Sequence, residues 1–144
     1  MEWLFAWRLF TYWRQKLTDT NFLLTLDKAI EHMNFEIENN TNYSVVSSHV
    51  DKLNAANAPD LKSAVISLNK NSVSNIIIDL SATNYCDSSG LSAVLTANRL
   101  CKNSNGQFVL CGLQPNVAKM IQIAQLDRVL NIQEDLSKAI KELL

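Results

Sequence analysis

Residues 76–111 read IIIDLSATNYCDSSGLSAVLTANRLCKNSNGQFVLC and carry a strand, a helix and a second strand in succession. Ile76 to Leu80 is a nearly unbroken apolar run, the composition of a strand covered on both faces, and Phe108 to Cys111 repeats the type. Between them, Ala93, Ala97, Leu100 and Cys101 recur at i, i+4, i+7 and i+8, so the spacing predicts a helix over Ser88 to Cys101 that Asn103, Asn105 and Gly106 end. Two buried strands joined by a helix form a β-α-β crossover, whose strands run parallel.

The same pattern extends in both directions. Upstream, Pro59 suits the first position of a helix, with Asp60 in its first turn and Leu61, Ala64, Val65 and Leu68 on one apolar face. Before it, Tyr43 to Val50 has the β-branched and aromatic content of a strand, and the polar run Asn39-Asn40-Thr41-Asn42 supplies a turn. Met33, Phe35 and Ile37 alternate with Asn34, Glu36 and Glu38 as a first half-buried strand, making an opening hairpin. Downstream, Pro115 introduces a helix with Val117, Met120, Ile121 and Ala124 as its stripe. Val129 to Ile132 reads as a last short strand, and Leu136, Ala139, Ile140 and Leu143 mark a final helix. The order ββαβαβαβα predicts one α/β domain, a mixed sheet packed by about four helices with the hairpin contributing the antiparallel strand.

Bulk composition narrows the function classes. A chain of 144 residues has the size of one domain, and its 13 basic and 14 acidic side chains give no long-range attraction for a nucleic-acid backbone. Cys86, Cys101 and Cys111 are odd in number, form no CxxC pair and lie far from His32 and His49. They read as reduced, buried thiols, with neither a disulfide framework nor a metal site expected, and a reducing cytoplasm fits that use.

Residues 1–32 are unlike the rest. Trp3, Trp7 and Trp13 fall there with Phe5, Phe10 and Tyr12, in an apolar run interrupted by Arg8 and shorter than the roughly 20 residues that span a bilayer. Glu2 precedes the run while Arg14 and Lys16 follow it, the reverse of a secretory signal. Two readings stand: an amphipathic helix at a membrane surface, or translated upstream sequence, with Met33 as the initiator and the domain occupying 33–144. The second is preferred on the sequence, because Met33 stands where the compact pattern begins.

The stretch Asp87-Ser88-Ser89-Gly90-Leu91 joins a buried strand to a helix start. Asp87 or Ser88 suits the cap, Gly90 allows close approach of another backbone, and Leu91 begins the inward face. Read alone, this is capping chemistry.

Taken together, Ile76-Ile77-Ile78-Asp79-Leu80-Ser81 and Tyr85-Cys86-Asp87-Ser88-Ser89-Gly90-Leu91 resemble the signature of STAS domains in anti-sigma factor antagonists. Leu53 to Leu61 resembles the family's first-helix loop, and Phe108 to Leu113 its following strand, so the resemblance runs from about Met33 to the C-terminus. It implies a protein-binding partner switch without cofactor or metal. The unphosphorylated domain would sequester an anti-sigma factor serine kinase, and phosphorylation of Ser88, the serine directly after the aspartate, would release it. Ser89 is the lesser candidate acceptor. Asp87, Ser88, Ser89, Gly90, Asn54 and Asn57 would form the partner-binding surface, and a serine phosphatase would reset the switch. Asn54 stands where many relatives have aspartate, and Asp51 where they often have glycine.

The residues themselves give no enzyme. A GxSxG elbow is absent, since Cys86 and Asp87 precede Ser88 without the glycines a tight elbow needs. The resemblance also admits a regulatory STAS subunit of a membrane lipid transport complex, or a subunit of a stress-signalling assembly that binds other STAS domains.

Overall fold

A computed structural model of the chain describes residues 2–25 and 34–144. The chain divides into two compact units, Met1–Met33 and Asn34–Leu144. Met33, read above both as an initiator and as a strand residue, lies outside the described residues.

In the first unit, helix α1 covers Glu2–Leu17 and has no buried residue. The second unit runs β1 (Phe35–Asn39), β2 (Ser44–Ser48), β3 (Lys52–Leu53), α2 (Ala58–Lys70), β4 (Ile76–Asp79), β5 (Tyr85–Cys86), α3 (Ser88–Asn103), β6 (Phe108–Cys111), α4 (Pro115–Ile123), β7 (Ile132–Gln133) and α5 (Leu136–Leu143). Its main sheet has the order β1-β2-β4-β6-β7. β1 is antiparallel to β2, and every other pairing in that sheet is parallel. This is the mixed sheet with four α-helices that the sequence predicts.

Alternation along the strands separates two cores. Phe35, Val46, Ile76, Ile78, Phe108 and Leu110 face one side and pack with Leu61, Val65, Val94, Ala97, Val117 and Ile121 of α2, α3 and α4. Val45, Ile77, Val109 and Cys111 face the other side, where Leu136, Ala139, Ile140 and Leu143 of α5 meet them. Strand residues buried on both faces explain the unbroken apolar runs at β4 and β6. A buried hydroxyl pair secures the edge of the first core: Thr83 Oγ1 donates to the Val50 carbonyl at 2.8 Å, so Ser48 Oγ is the donor in its 2.8 Å contact with Thr83 Oγ1.

Three local expectations are corrected. α2 begins at Ala58, one residue before Pro59. The last strand is Ile132–Gln133, not Val129–Ile132, because Gln125 takes a left-handed φ of 57° and Leu126–Arg128 forms a 3-10 turn. The N–H groups of Val129 and Leu130 are then spent locally on Leu126 O, leaving Val129 exposed. Finally, β3 and β5 form a second, two-stranded parallel sheet with Lys52 opposite Tyr85 and Leu53 opposite Cys86. Two-residue strands are too short to show periodicity.

Candidate functional site

The small β3–β5 sheet positions the site, because each of its strands leads directly into a helix start: β3 into the Asn54–Asn57 loop before α2, and β5 into Asp87 before α3. The Asp87 N–H donates to the Leu53 carbonyl at 3.1 Å, tying the second loop to the first. Asp87 is extended, with φ −95° and ψ −174°, and its Oδ1 accepts from the Gly90 N–H at 3.0 Å. Of the two candidate caps, Asp87 therefore fills the role. Gly90 is buried, and a Cβ on it would lie 2.6 Å from Cys86 Sγ and 2.8 Å from both Cγ and O of Leu53. The first turn of α3 thus rests on β3 at a distance that only glycine permits.

Ser88 is the first residue of α3, and its side chain is exposed. Its hydroxyl makes no hydrogen bond among the described residues, whereas Ser89 beside it is half-buried. The Asn54–Asn57 loop is built by its own amides. Asn57 Oδ1 accepts from the Asn54 N–H at 2.9 Å, Asn57 Nδ2 donates to Lys52 O at 2.8 Å, and Asn54 Oδ1 accepts from the Ala56 N–H at 3.0 Å. Both asparagine side chains are consequently engaged in holding the loop. Asp51 holds the neighbouring turn, accepting from Asn84 Nδ2 at 2.7 Å.

Between the two helix starts lies an open cleft of about 300 Å³ lined by Ala55, Ala58, Pro59, Lys62, Ser88, Ser89 and Ser92. The structure brings Ser88 and Ser89 together here with Lys62 and Ser92, which the sequence did not single out. Helical spacing was the available signal: Lys62 is three residues after Pro59 and Ser92 four after Ser88, so each continues the face of its helix start. Lys62 and Ser92 also line an adjoining cleft of about 530 Å³ with Leu95, Thr96, Asn98 and Arg99. No carboxylate lines either cleft, so their formal charges, from Lys62 and Arg99, are positive.

The cysteines take no part in this surface. Burial pushes the Cys86 thiol up to about 12, aided by the Asp87 charge, and pushes Cys101 up to about 11. Cys111 rises to about 12, again through burial and then through Asp79 and Asp135. All three remain neutral thiols at physiological pH. Among the described residues, no group of three or more His, Cys, Asp or Glu side chains is placed to hold a metal ion.

A family model described as the STAS domain matches residues 34–139, which include the whole of this site. The chain belongs to the STAS domain family. A Bordetella bronchiseptica protein provisionally named anti-sigma factor antagonist BtrV is 29% identical over 72 residues, an alignment covering 50% of this chain and 62% of that protein. A Thermotoga maritima protein provisionally described as an anti-sigma factor antagonist superposes with a TM-score of 0.69 at 25% identity, over 78% of this chain and 97% of its own. The Bacillus cell fate determinant SpoIIAA, in its phosphorylated form, has a TM-score of 0.61 at 20% identity, over 76% of this chain and 99% of its own. At that identity the likeness is one of fold. In STAS terms, the site joins the N-terminus of α3 to the loop before α2.

Proposed function

We propose that this STAS protein is an anti-sigma factor antagonist whose unmodified Ser88 surface sequesters an anti-sigma factor serine kinase and whose phosphorylation at Ser88 releases it. The observation that carries the reading is the division of roles at the start of α3: Asp87 caps the helix, Gly90 packs it, and the Ser88 hydroxyl stays exposed and uncommitted. A kinase must reach such a hydroxyl without unfolding its substrate. Ser89 is the second acceptor in line, less accessible because it is half-buried.

Phosphate would add about −1.5 to −2 charges at neutral pH, at a helix N-terminus where free N–H groups and the dipole favour negative charge. Lys62 lines the same cleft and adds to that tolerance. The fold would stay as it is while the partner's docking face, shaped to a neutral hydroxyl, would meet new negative charge and lose complementarity. Asn54 and Asn57 serve this surface by fixing the loop that flanks Ser88. SpoIIAA is a protein of this fold that has a phosphorylated form.

The chain acts by binding and not by catalysis. Nucleophilic chemistry at Ser88 needs a base hydrogen-bonded to its hydroxyl, and among the described residues that hydroxyl has no such partner, with Asp87 already spent as a cap. A serine phosphatase acting on phospho-Ser88 completes the cycle, which we place in the cytoplasm.

Affinity purification from the native cell tests the reading, comparing wild type with Ser88→Ala and Ser88→Asp and mapping phosphosites by mass spectrometry. The expected result is a serine kinase held by wild type and Ser88→Ala, lost with Ser88→Asp, and phosphate on Ser88. Recovery of membrane transport subunits regardless of residue 88 would support the transporter-subunit reading instead and sink this one.

A further inference from the structure

α1 is an exposed helix whose surface has the chemistry of a membrane interface. None of its residues is buried, and Trp3 and Trp7 are 87% and 71% exposed. At 100° per residue, Trp3, Ala6, Trp7, Phe10, Trp13 and Leu17 fall on one side, while Arg8, Thr11 and Gln15 fall opposite. Arg14 projects within that side, between Trp3 and Trp7, and Lys16 beyond its Trp13 edge; both stand near the helix end, where their long stems can lie along the apolar surface with the charge toward water. Leu9, Phe5 and Tyr12 continue the apolar surface past Trp13, while Leu4 falls on the polar side between Thr11 and Gln15. α1 carries three basic side chains against Glu2 alone, whereas the rest of the chain has ten basic and thirteen acidic ones.

We propose that α1 lies in the plane of an anionic lipid surface and holds this STAS protein there. Sixteen residues at about 1.5 Å each give about 24 Å, short of a hydrocarbon core about 30 Å thick. No described helix is long and apolar enough to cross a membrane, so α1 lies on the bilayer and does not span it. Three features select lipid over a second copy of the chain. Tryptophan and tyrosine are the side chains that favour the headgroup level. The apolar surface is wider than the narrow seam one partner helix would cover, and a/d seams favour aliphatic residues over the Trp3, Phe10 and Trp13 found here. The local excess of positive charge also matches anionic headgroups, while a second copy of α1 would repel it.

All three tryptophans of the protein are in α1, so its tryptophan emission, excited selectively over tyrosine, reports on this helix alone. The full chain is titrated with vesicles of phosphatidylcholine and with vesicles of phosphatidylcholine mixed with phosphatidylglycerol. The proposal expects a blue-shifted emission and co-sedimentation with the anionic vesicles, both reversed by salt. Replacing Arg8, Arg14 and Lys16 by glutamine weakens that binding by about a hundredfold. Phe10→Glu abolishes the shift while leaving all three tryptophans in place. Because α1 has no buried residue, these variants keep the circular dichroism of the STAS unit. Absence of any shift, equal binding to both vesicles, or a shift that depends on protein concentration without lipid would overturn the proposal. So would a native product whose N-terminal peptide begins at Met33.

Discussion

Asp87 and Ser88 are adjacent oxygen-bearing residues, and the backbone gives their oxygens opposite fates. The Asp87 carboxylate is turned back onto the Gly90 N–H, while the Ser88 hydroxyl points to solvent. Denaturant unfolding should separate them: Asp87→Ala loses about 1 kcal/mol of stability as an N-cap, and Ser88→Ala changes it by less than about 0.5 kcal/mol. Gly90→Ala should cost about 1–3 kcal/mol, because its Cβ meets the Leu53 carbonyl, which cannot move aside like a side-chain end. Comparable losses for Ser88→Ala and Asp87→Ala would show that the cap is misassigned. The sequence made Gly90 legible as a close-approach position but could not name Leu53, which is distant along the chain and arrives through a two-residue strand. Lys62 escaped notice for a related reason: a lysine on an amphipathic helix reads as a solvated face until a second helix is placed beside it.

The buried thiols add a pH dependence. With folded values of about 12, 11 and 12 against an ordinary 9.0, the unfolded chain loses these protons first as pH rises. Between pH 9 and 12 the folded state therefore binds more protons, and unfolding free energy falls with rising pH. The contribution is fully present below pH 9. Denaturation midpoints at pH 7.5, 9 and 10.5 check this, and a thiol reagent at pH 7.5 should label Cys86, Cys101 and Cys111 only on unfolding. Rapid labelling of the native protein would contradict the burial.

At the level of elements, α3 is the part that the proposed phosphate on Ser88 would have to leave intact. Its N-terminus is held from below by Gly90 on β3, capped by Asp87, and closed at the far end by Asn105, whose left-handed φ of 57° directs the Gly106 N–H onto Cys101 O at 2.8 Å. None of these restraints uses Ser88. Phospho-Ser88 and Ser88→Asp should accordingly show the far-ultraviolet circular dichroism of the unmodified protein and gain up to about 1 kcal/mol at low ionic strength, a gain that shrinks with salt. Loss of helical signal on phosphorylation would rule out a surface switch. Element boundaries show where sequence reading stops: β4, α3 and β6 were legible because burial on both faces and a sustained 3.6 period leave no competing reading. β7 was displaced because Val129 to Ile132 looks apolar in sequence, while only the left-handed Gln125 and the turn after it decide which residues reach the sheet.

For the STAS unit as a whole, the architecture separates a rigid platform from a changeable surface. One antiparallel and three parallel pairings order the five-stranded main sheet, three helices fill one face, and the site is built on the small β3–β5 sheet, whose Leu53 and Cys86 belong to that core. The switch proposed there would alter charge without touching packing, which is why the fold could be read from periodicity while the partner could not: periodicity records what is buried, and partners read what is exposed.

Among the described residues, α5 with Tyr43 covers the other face of the sheet, and α5 is made after every strand it covers. On a ribosome, Val45, Ile77 and Val109 would emerge and pair into a sheet with one apolar side still bare until Leu136–Leu143 leaves the exit tunnel. The nascent chain thus passes through a stage with an open hydrophobic sheet face, the kind of surface on which holding chaperones act. The timing of release, rather than the stability of the finished fold, governs how long that face stays exposed.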